Sequence, residues 1–113
     1  MRIQVKSRTD TAVDEDLVAR VEKKLQKVGR QVSPLAELDI EVREERGSSP
    51  GDTYVAEAVL ALKGTTLRAT ESANDMGRAL NLVADDIARQ VKKHRDKRRG
   101  RRESQKAEEP HAA

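Results

Sequence analysis

Polar and apolar residues alternate from the first positions of the chain. Ile3 and Val5 stand between Arg2, Gln4 and Lys6, the period-two pattern of a strand with one buried face. A polar turn over Ser7 to Thr11 follows. Asp14 can cap a helix whose first turn holds Glu15 and Asp16, acids suited to the positive end of a helix dipole. Leu17, Val21, Leu25 and Val28 recur at helical spacing, and Gly29 followed by Ser33-Pro34 predicts the stop. Leu38, Ile40 and Val42 then alternate with Glu37, Asp39, Glu41 and Arg43 as a second strand. Gly47 to Asp52 has the composition of a hairpin loop. A third strand from about Thr53 to Leu62 places Ala56, Ala58, Leu60 and Leu62 inward and Glu57 outward. Lys63-Gly64-Thr65 turns the chain into a short fourth strand marked by Leu67 and Ala69. A long helix begins between Ser72 and Asp75, with Met76, Leu80, Val83, Ile87 and Val91 as its apolar stripe. No apolar side chain follows until Ala107, so this helix outruns its core.

The order β-α-β-β-β-α predicts an α+β fold. The first two strands, joined through a helix, pair in parallel as a right-handed crossover, and strands two to four pair antiparallel. Each strand has one apolar face, so both helices are expected to be packed on one face of a four-stranded mixed sheet. With 113 residues, 35% of them apolar and a single Tyr as the only aromatic, the core must be lean and aliphatic. Residues 1–99 are expected to form the one domain and residues 100–113 a basic, then polar, disordered C-terminal tail, with Gly100 as the helix stop.

The charge distribution adds what hydropathy leaves out. A formal net charge of +3 divides into +8 between Arg89 and Arg102, where nine Lys/Arg meet only Asp96, and −5 elsewhere. On the first helix Arg20, Lys23, Lys27 and Arg30 fall within an arc of roughly 80° at about 100° per residue, beside the buried stripe, with Lys24 between the two. The outward sheet face offers Glu37, Asp39, Glu41 and Glu57. Readers of single-stranded RNA stack bases on aromatic residues of their sheets; an acidic sheet whose only ring is Tyr54 excludes stacking readout. Phosphate and shape contact by helical Lys and Arg remains, and it suits folded, largely double-helical RNA. A basic helix face can also be merely solvated. The run Lys92 to Arg102, however, repels itself unless an anion neutralises it, and predicts a polyanionic partner.

Catalysis finds little support. The chain has no Cys, which removes disulfides, thiolate metal sites and thiol chemistry and suits a reducing cytosol. The N-terminus lacks the apolar run of a signal peptide, and no apolar stretch approaches a membrane span of about 18 residues. The two histidines, His94 and His111, lie outside the expected core, and no HExxH, Walker A or GxSxG pattern occurs. Asp85 and Asp86 are adjacent on a helix, where neighbouring side chains diverge, and read as solvated surface acids. Gly64 and Gly100 read as a turn and a helix stop. No enzyme, metal or cofactor is expected.

At the second helix the sequence resembles a known family. Leu67 to Met76, LRATESANDM, and Ile87 to Lys97, IARQVKKHRDK, are similar to the ribosome hibernation promoting factors and ribosome-associated inhibitors, the protein Y family. An older family name, sigma-54 modulation protein, carries a regulatory label that these residues do not explain. The resemblance covers about residues 1–98 and implies the fold derived above. It further implies binding to the small ribosomal subunit between head and body, over 16S rRNA, in the channel of mRNA and the A- and P-site tRNAs. Such a factor inhibits translation and silences idle 70S ribosomes in stationary phase or stress, in the cytoplasm. By position, the implied rRNA contacts are Lys24 and Lys27 on the first helix and Arg89, Lys93, Arg95 and Lys97 on the second, with Lys92 and Arg98 as additions. Arg20, Lys23 and Arg30 join them from the helical arc alone. Long family members add a C-terminal domain that pairs ribosomes; the expectation here is a short form, monomeric when free, or a chain whose residues 100–113 begin a linker. Two other readings stay open: a generic double-stranded RNA-binding module, and a protein-interaction module whose basic helix docks on an acidic partner.

Overall fold

The computed structural model describes residues 1–8, 13–45 and 54–108, the side chains of 98–108 excepted. The turn expected around Thr9–Thr11, the loop Gly47–Asp52 and His111 lie outside the described residues. The elements are β1 (Arg2–Ser7), α1 (Glu15–Gly29), β2 (Glu37–Glu44), β3 (Tyr54–Leu62), β4 (Thr65–Ala73) and α2 (Met76–Glu108). They form the expected α+β order.

The sheet runs β1-β2-β3-β4, with β1 parallel to β2 and the other pairs antiparallel. Pairing sets rows across it. Ile3, Leu38, Leu60 and Leu67 make one row, and Val5, Ile40, Ala58 and Ala69 the next, all on one face. The stripes of both helices close on that face: Val21, Leu25 and Val28 from α1 and Met76, Leu80, Val83, Ile87 and Val91 from α2 join a single aliphatic cluster with the strands. Tyr54, whose parity is that of Ala56 and Ala58, packs against the cluster and is not on the open side. No polar or charged side chain is buried among the described residues. The sheet can therefore be covered on one face only, and the surface of each helix away from the sheet is left to water.

Local chemistry fixes the element ends. The Asp14 carboxylate accepts from the Asp16 amide at 3.1 Å at the start of α1. Asp75 repeats the device for α2, accepting from the Gly77 amide at 3.2 Å. In the β3–β4 turn Gly64 has φ of +81°, a left-handed conformation that a residue with a Cβ adopts only at a cost. Gly77 permits the two helices to approach closely, since a Cβ there would stand 3.0 Å from Leu17 Cδ2.

Two expectations are corrected. β4 is a full strand that continues through Glu71 to Ala73 rather than a short one, because pairing with β3 extends to Tyr54 opposite Ala73. Helix α2 runs through Gly100 to Glu108, where a stop at Gly100 and an irregular tail were expected. A single interior Gly costs a helix only about 1 kcal/mol relative to Ala, and the Arg, Glu, Gln, Lys and Ala around it are good helix formers. About 25 Å of helix, at 1.5 Å per residue, therefore extends beyond Val91.

Candidate nucleic-acid interface

The close contacts between α1 and α2 show that the helices run in the same direction. Leu17 meets Gly77 near their starts, Lys24 reaches Asn81 and Asp85 midway, and Gln31, Val32 and Ser33 share a pocket with Val91, His94 and Arg95 at the far end. Same-direction packing matters because the basic residues of α1 and the basic end of α2 then gather over one side and one end of the helical layer.

Of the cations singled out in the sequence, Arg20, Lys23, Lys27 and Arg30 on α1 are exposed, as are Arg89, Lys92, Lys93, Arg95 and Lys97 on α2. Arg98 lies on α2 by its backbone, and its side chain is outside the described residues. Lys24 is exposed yet engaged: its ammonium lies 2.7 Å from Asp85 Oδ1 and donates to Asn81 Oδ1 at 2.5 Å. Arg89 also has acidic company, near enough to Glu71 to favour that carboxylate's charged form.

The candidate surface has two parts. In the first, a cleft of about 450 Å³ between the helices near their N-termini is lined by Arg20 and Lys24 from one side and Arg78 from the other. Arg78 was not among the residues read from the sequence. It stands alone among Gly77, Ala79 and Leu80, and only the packing of α1 places it opposite Arg20. In the second, α2 leaves the core after Val91, which is 2% exposed. At about 100° per residue, Lys92, Lys93, Arg95 and Lys97 stand at roughly 100°, 200°, 40° and 240° around the axis from Val91. These four positions cover an arc of about 200°, with Asp96 inside it at roughly 140° and His94 in the remaining gap, so positive charge takes just over half of the helix circumference once the core ends. Such a rod suits a groove with phosphates on both walls better than a flat surface.

His94 stays outside the core, as expected, but not in open solvent. It is half-buried and lines a pocket with Val32, Leu62 and Val91. Asp85 and Asp86 are not simply solvated either, since both are only partly exposed. Asp85 binds Lys24, and Asp86 accepts from Gln90 Nε2 at 3.2 Å. Burial raises the Glu71 carboxyl above its ordinary value, and a hydrogen bond to Asp86 and that group's negative charge push the same way against Arg89.

The open sheet face differs from its expected acidity. Glu37, Asp39, Glu41 and Glu57 do lie there, but β1 places Arg2 beside Glu37 and Lys6 beside Glu41. Arg8 forms an ion pair with Glu41. Arg43 binds Glu45 at 2.9 Å and Glu57 at 3.3 Å, and the Glu45 hydrogen bond leads the contacts that raise its pKa. Among the described residues no group of three or more His, Cys, Asp or Glu could hold a metal ion, and no helix is long and apolar enough to cross a membrane.

Comparison with known proteins agrees with this architecture. A ribosome hibernation promotion factor from Picosynechococcus sp. is 30% identical over 92 residues, which cover 80% of this chain and 48% of the relative. The chain thus spans about half the length of that relative. The protein Y N-terminal domain of Thermus thermophilus superposes with a TM-score of 0.66 at 21% identity, covering 83% of this chain and 99% of that domain. A ribosomal subunit interface protein from Coxiella burnetii gives 0.63 at 20% identity, over 85% of this chain and 99% of the other. These two share the fold. The family described as sigma 54 modulation protein / S30EA ribosomal protein matches residues 3–99, from the first strand into the basic end of α2, and the chain belongs to that family.

Proposed function

We propose that this protein is a ribosome-binding inhibitor of translation that holds ribosomes in hibernation under stress or in stationary phase. It works in the cytoplasm by occupying the mRNA and tRNA channel of the small subunit. The supporting observation is the arrangement of cations: α1 and α2 run the same way, bring Arg20 and Arg78 to one cleft, and leave Lys23, Lys27, Arg30, Lys92 and Lys93 exposed on the helical layer. The basic rod continues that surface. Folded rRNA presents phosphates across a groove, and such a surface meets them without reading bases. No step of bond making is involved. Inhibition is steric, since a domain seated over 16S rRNA where mRNA and tRNA pass excludes both. The named relatives support the ribosome as the target.

The test is co-sedimentation in sucrose gradients with small subunits and whole 70S ribosomes, together with a translation assay. The protein should travel with both and suppress translation, and an excess of plain A-form duplex should not remove it. Release by the duplex would favour a generic double-stranded RNA-binding module, and loss of every partner after nuclease treatment would exclude docking on an acidic protein.

A further inference from the structure

At the end of the domain where α2 leaves the core, three segments enclose a pocket of about 140 Å³: the exit from α1, the β3–β4 turn and one turn of α2. Val32, Leu62 and Val91 give it an apolar floor. Gln31 and Ser33 stand at its rim with amide and hydroxyl groups. The Ser33 oxygen accepts from the Leu35 amide at 3.1 Å, which leaves the hydroxyl proton to donate elsewhere. Two planar groups, the His94 ring and the Arg95 guanidinium, line the same space, and Lys63 adds a positive charge.

We propose that this pocket takes one unstacked base of the bound RNA, a contact that rests on the RNA-binding reading above. The chemistry of the lining selects that occupant. An apolar floor is wrong for a phosphate, and the two cations that line the pocket, Lys63 and Arg95, are wrong for an apolar peptide. A nucleotide presents both characters, a flat apolar face with polar edges and an anionic backbone. His94 supplies the plane for the base to stack on, Gln31 and Ser33 meet its edge, and Lys63 and Arg95 meet the flanking phosphates. Duplex phosphates orient the domain, and one extruded base sets its register.

Fluorescence anisotropy of the full chain with RNA hairpins tests this. One hairpin has an unbroken stem; four others carry a single-nucleotide bulge, one for each base. At low salt at least one bulged hairpin should bind on the order of ten-fold more tightly than the unbroken one, as one base stacked on a side chain contributes. His94→Ala should abolish that preference while leaving affinity for the unbroken stem unchanged, and His94→Phe, which keeps a stacking plane, should retain it. Thermal melting of both variants checks that the domain is folded. Indifference of the wild type to the bulge overturns the pocket, as does a His94→Ala loss equal for every hairpin. If the protein still co-sediments with ribosomes in that case, only the pocket fails; if it does not, the RNA reading fails with it.

Discussion

Charge is dense on two surfaces of this protein, and they differ in whether it is matched. On the open sheet face the parallel pairing of β1 with β2 sets cations beside acids, Arg2 by Glu37 and Lys6 by Glu41, while Arg43 lies between Glu45 and Glu57. On the helical layer Lys23, Lys27, Arg30, Lys92, Lys93 and Lys97 are exposed, and none of the ion pairs among the described residues includes them. Exposed ion pairs contribute little to stability, about 0–1 kcal/mol each. They do, however, cancel the field that a polyanion would feel. An interface is therefore marked by unmatched charge, and counting Lys and Arg does not find it.

Ionic strength should expose this difference most strongly. Each phosphate neutralised contributes about 0.7–0.9 to the slope of log affinity against log salt. Six contacts would then weaken ribosome binding roughly a thousand-fold between 50 and 200 mM salt. A slope near zero in filter-binding measurements would remove the helical layer as a phosphate surface.

Charge reversal sharpens the comparison. Lys93→Glu with Lys97→Glu and Arg2→Glu with Lys6→Glu lower the net charge by the same amount, on the helix and on the sheet. Losing two contacts should weaken ribosome binding roughly thirty-fold at physiological salt and flatten the slope by about 1.8. The sheet pair should change binding less than about two-fold: among the described residues Arg2 and Lys6 form no ion pair themselves, but they lie on the sheet face opposite the helical layer, in register with Glu37 and Glu41, whose charges offset theirs. Equal losses would mean that net charge alone governs binding and that the surfaces are not distinct.

A smaller change tests the one place where the helical layer does match its charge. Asp85→Asn removes the carboxylate that holds Lys24. A released ammonium and one acid fewer beside the RNA should tighten binding by up to about five-fold, the scale of an exposed ion pair. Weaker binding would show that Asp85 orients Lys24 for its phosphate instead of competing for it.

Much of this was readable from the sequence because burial follows local period. The alternation of Leu38, Ile40 and Val42 and the stripe from Met76 to Val91 name residues that are in fact buried, and Ala56, Ala58 and Leu60 set the inward face of β3. What was missed depends on partners far along the chain. Arg78 joins the cleft only because α1 lies beside it, and His94 is half-buried only because Val32 and Leu62 come to its helix. The neutral sheet face depends on pairing between strands about 35 residues apart, which no window along the sequence contains. Gly100 is the opposite case: its local helix-breaking tendency, about 1 kcal/mol, is too small to end α2 among good helix formers.

The end of β4 supplies the smallest effect, and it tests whether a mismatch of like charge is felt. Glu71 lies on the helix-facing side of an edge strand, in line with Ala69 and Ala73, and meets Asp86 of α2. An acid turned inward on an edge strand discourages pairing with another chain, at some cost in stability. Burial first, then the hydrogen bond and the charge of Asp86, hold its pKa above the ordinary value of 4.5. A carboxyl whose folded pKa is raised contributes its full stability below the unfolded value, and that contribution is lost as pH rises through the folded one. At pH 7 the charged group is therefore a burden. Glu71→Gln should raise the melting temperature there by an amount equivalent to a few tenths of a kcal/mol, the scale of a partly solvated pair. The advantage should fade as the pH falls below 4.5, where wild-type Glu71 is protonated and can donate to Asp86 as the amide does. A Glu71→Gln protein less stable than wild type at pH 7 would mean that Arg89 outweighs Asp86, so that even this pair of acids is matched by a neighbouring cation.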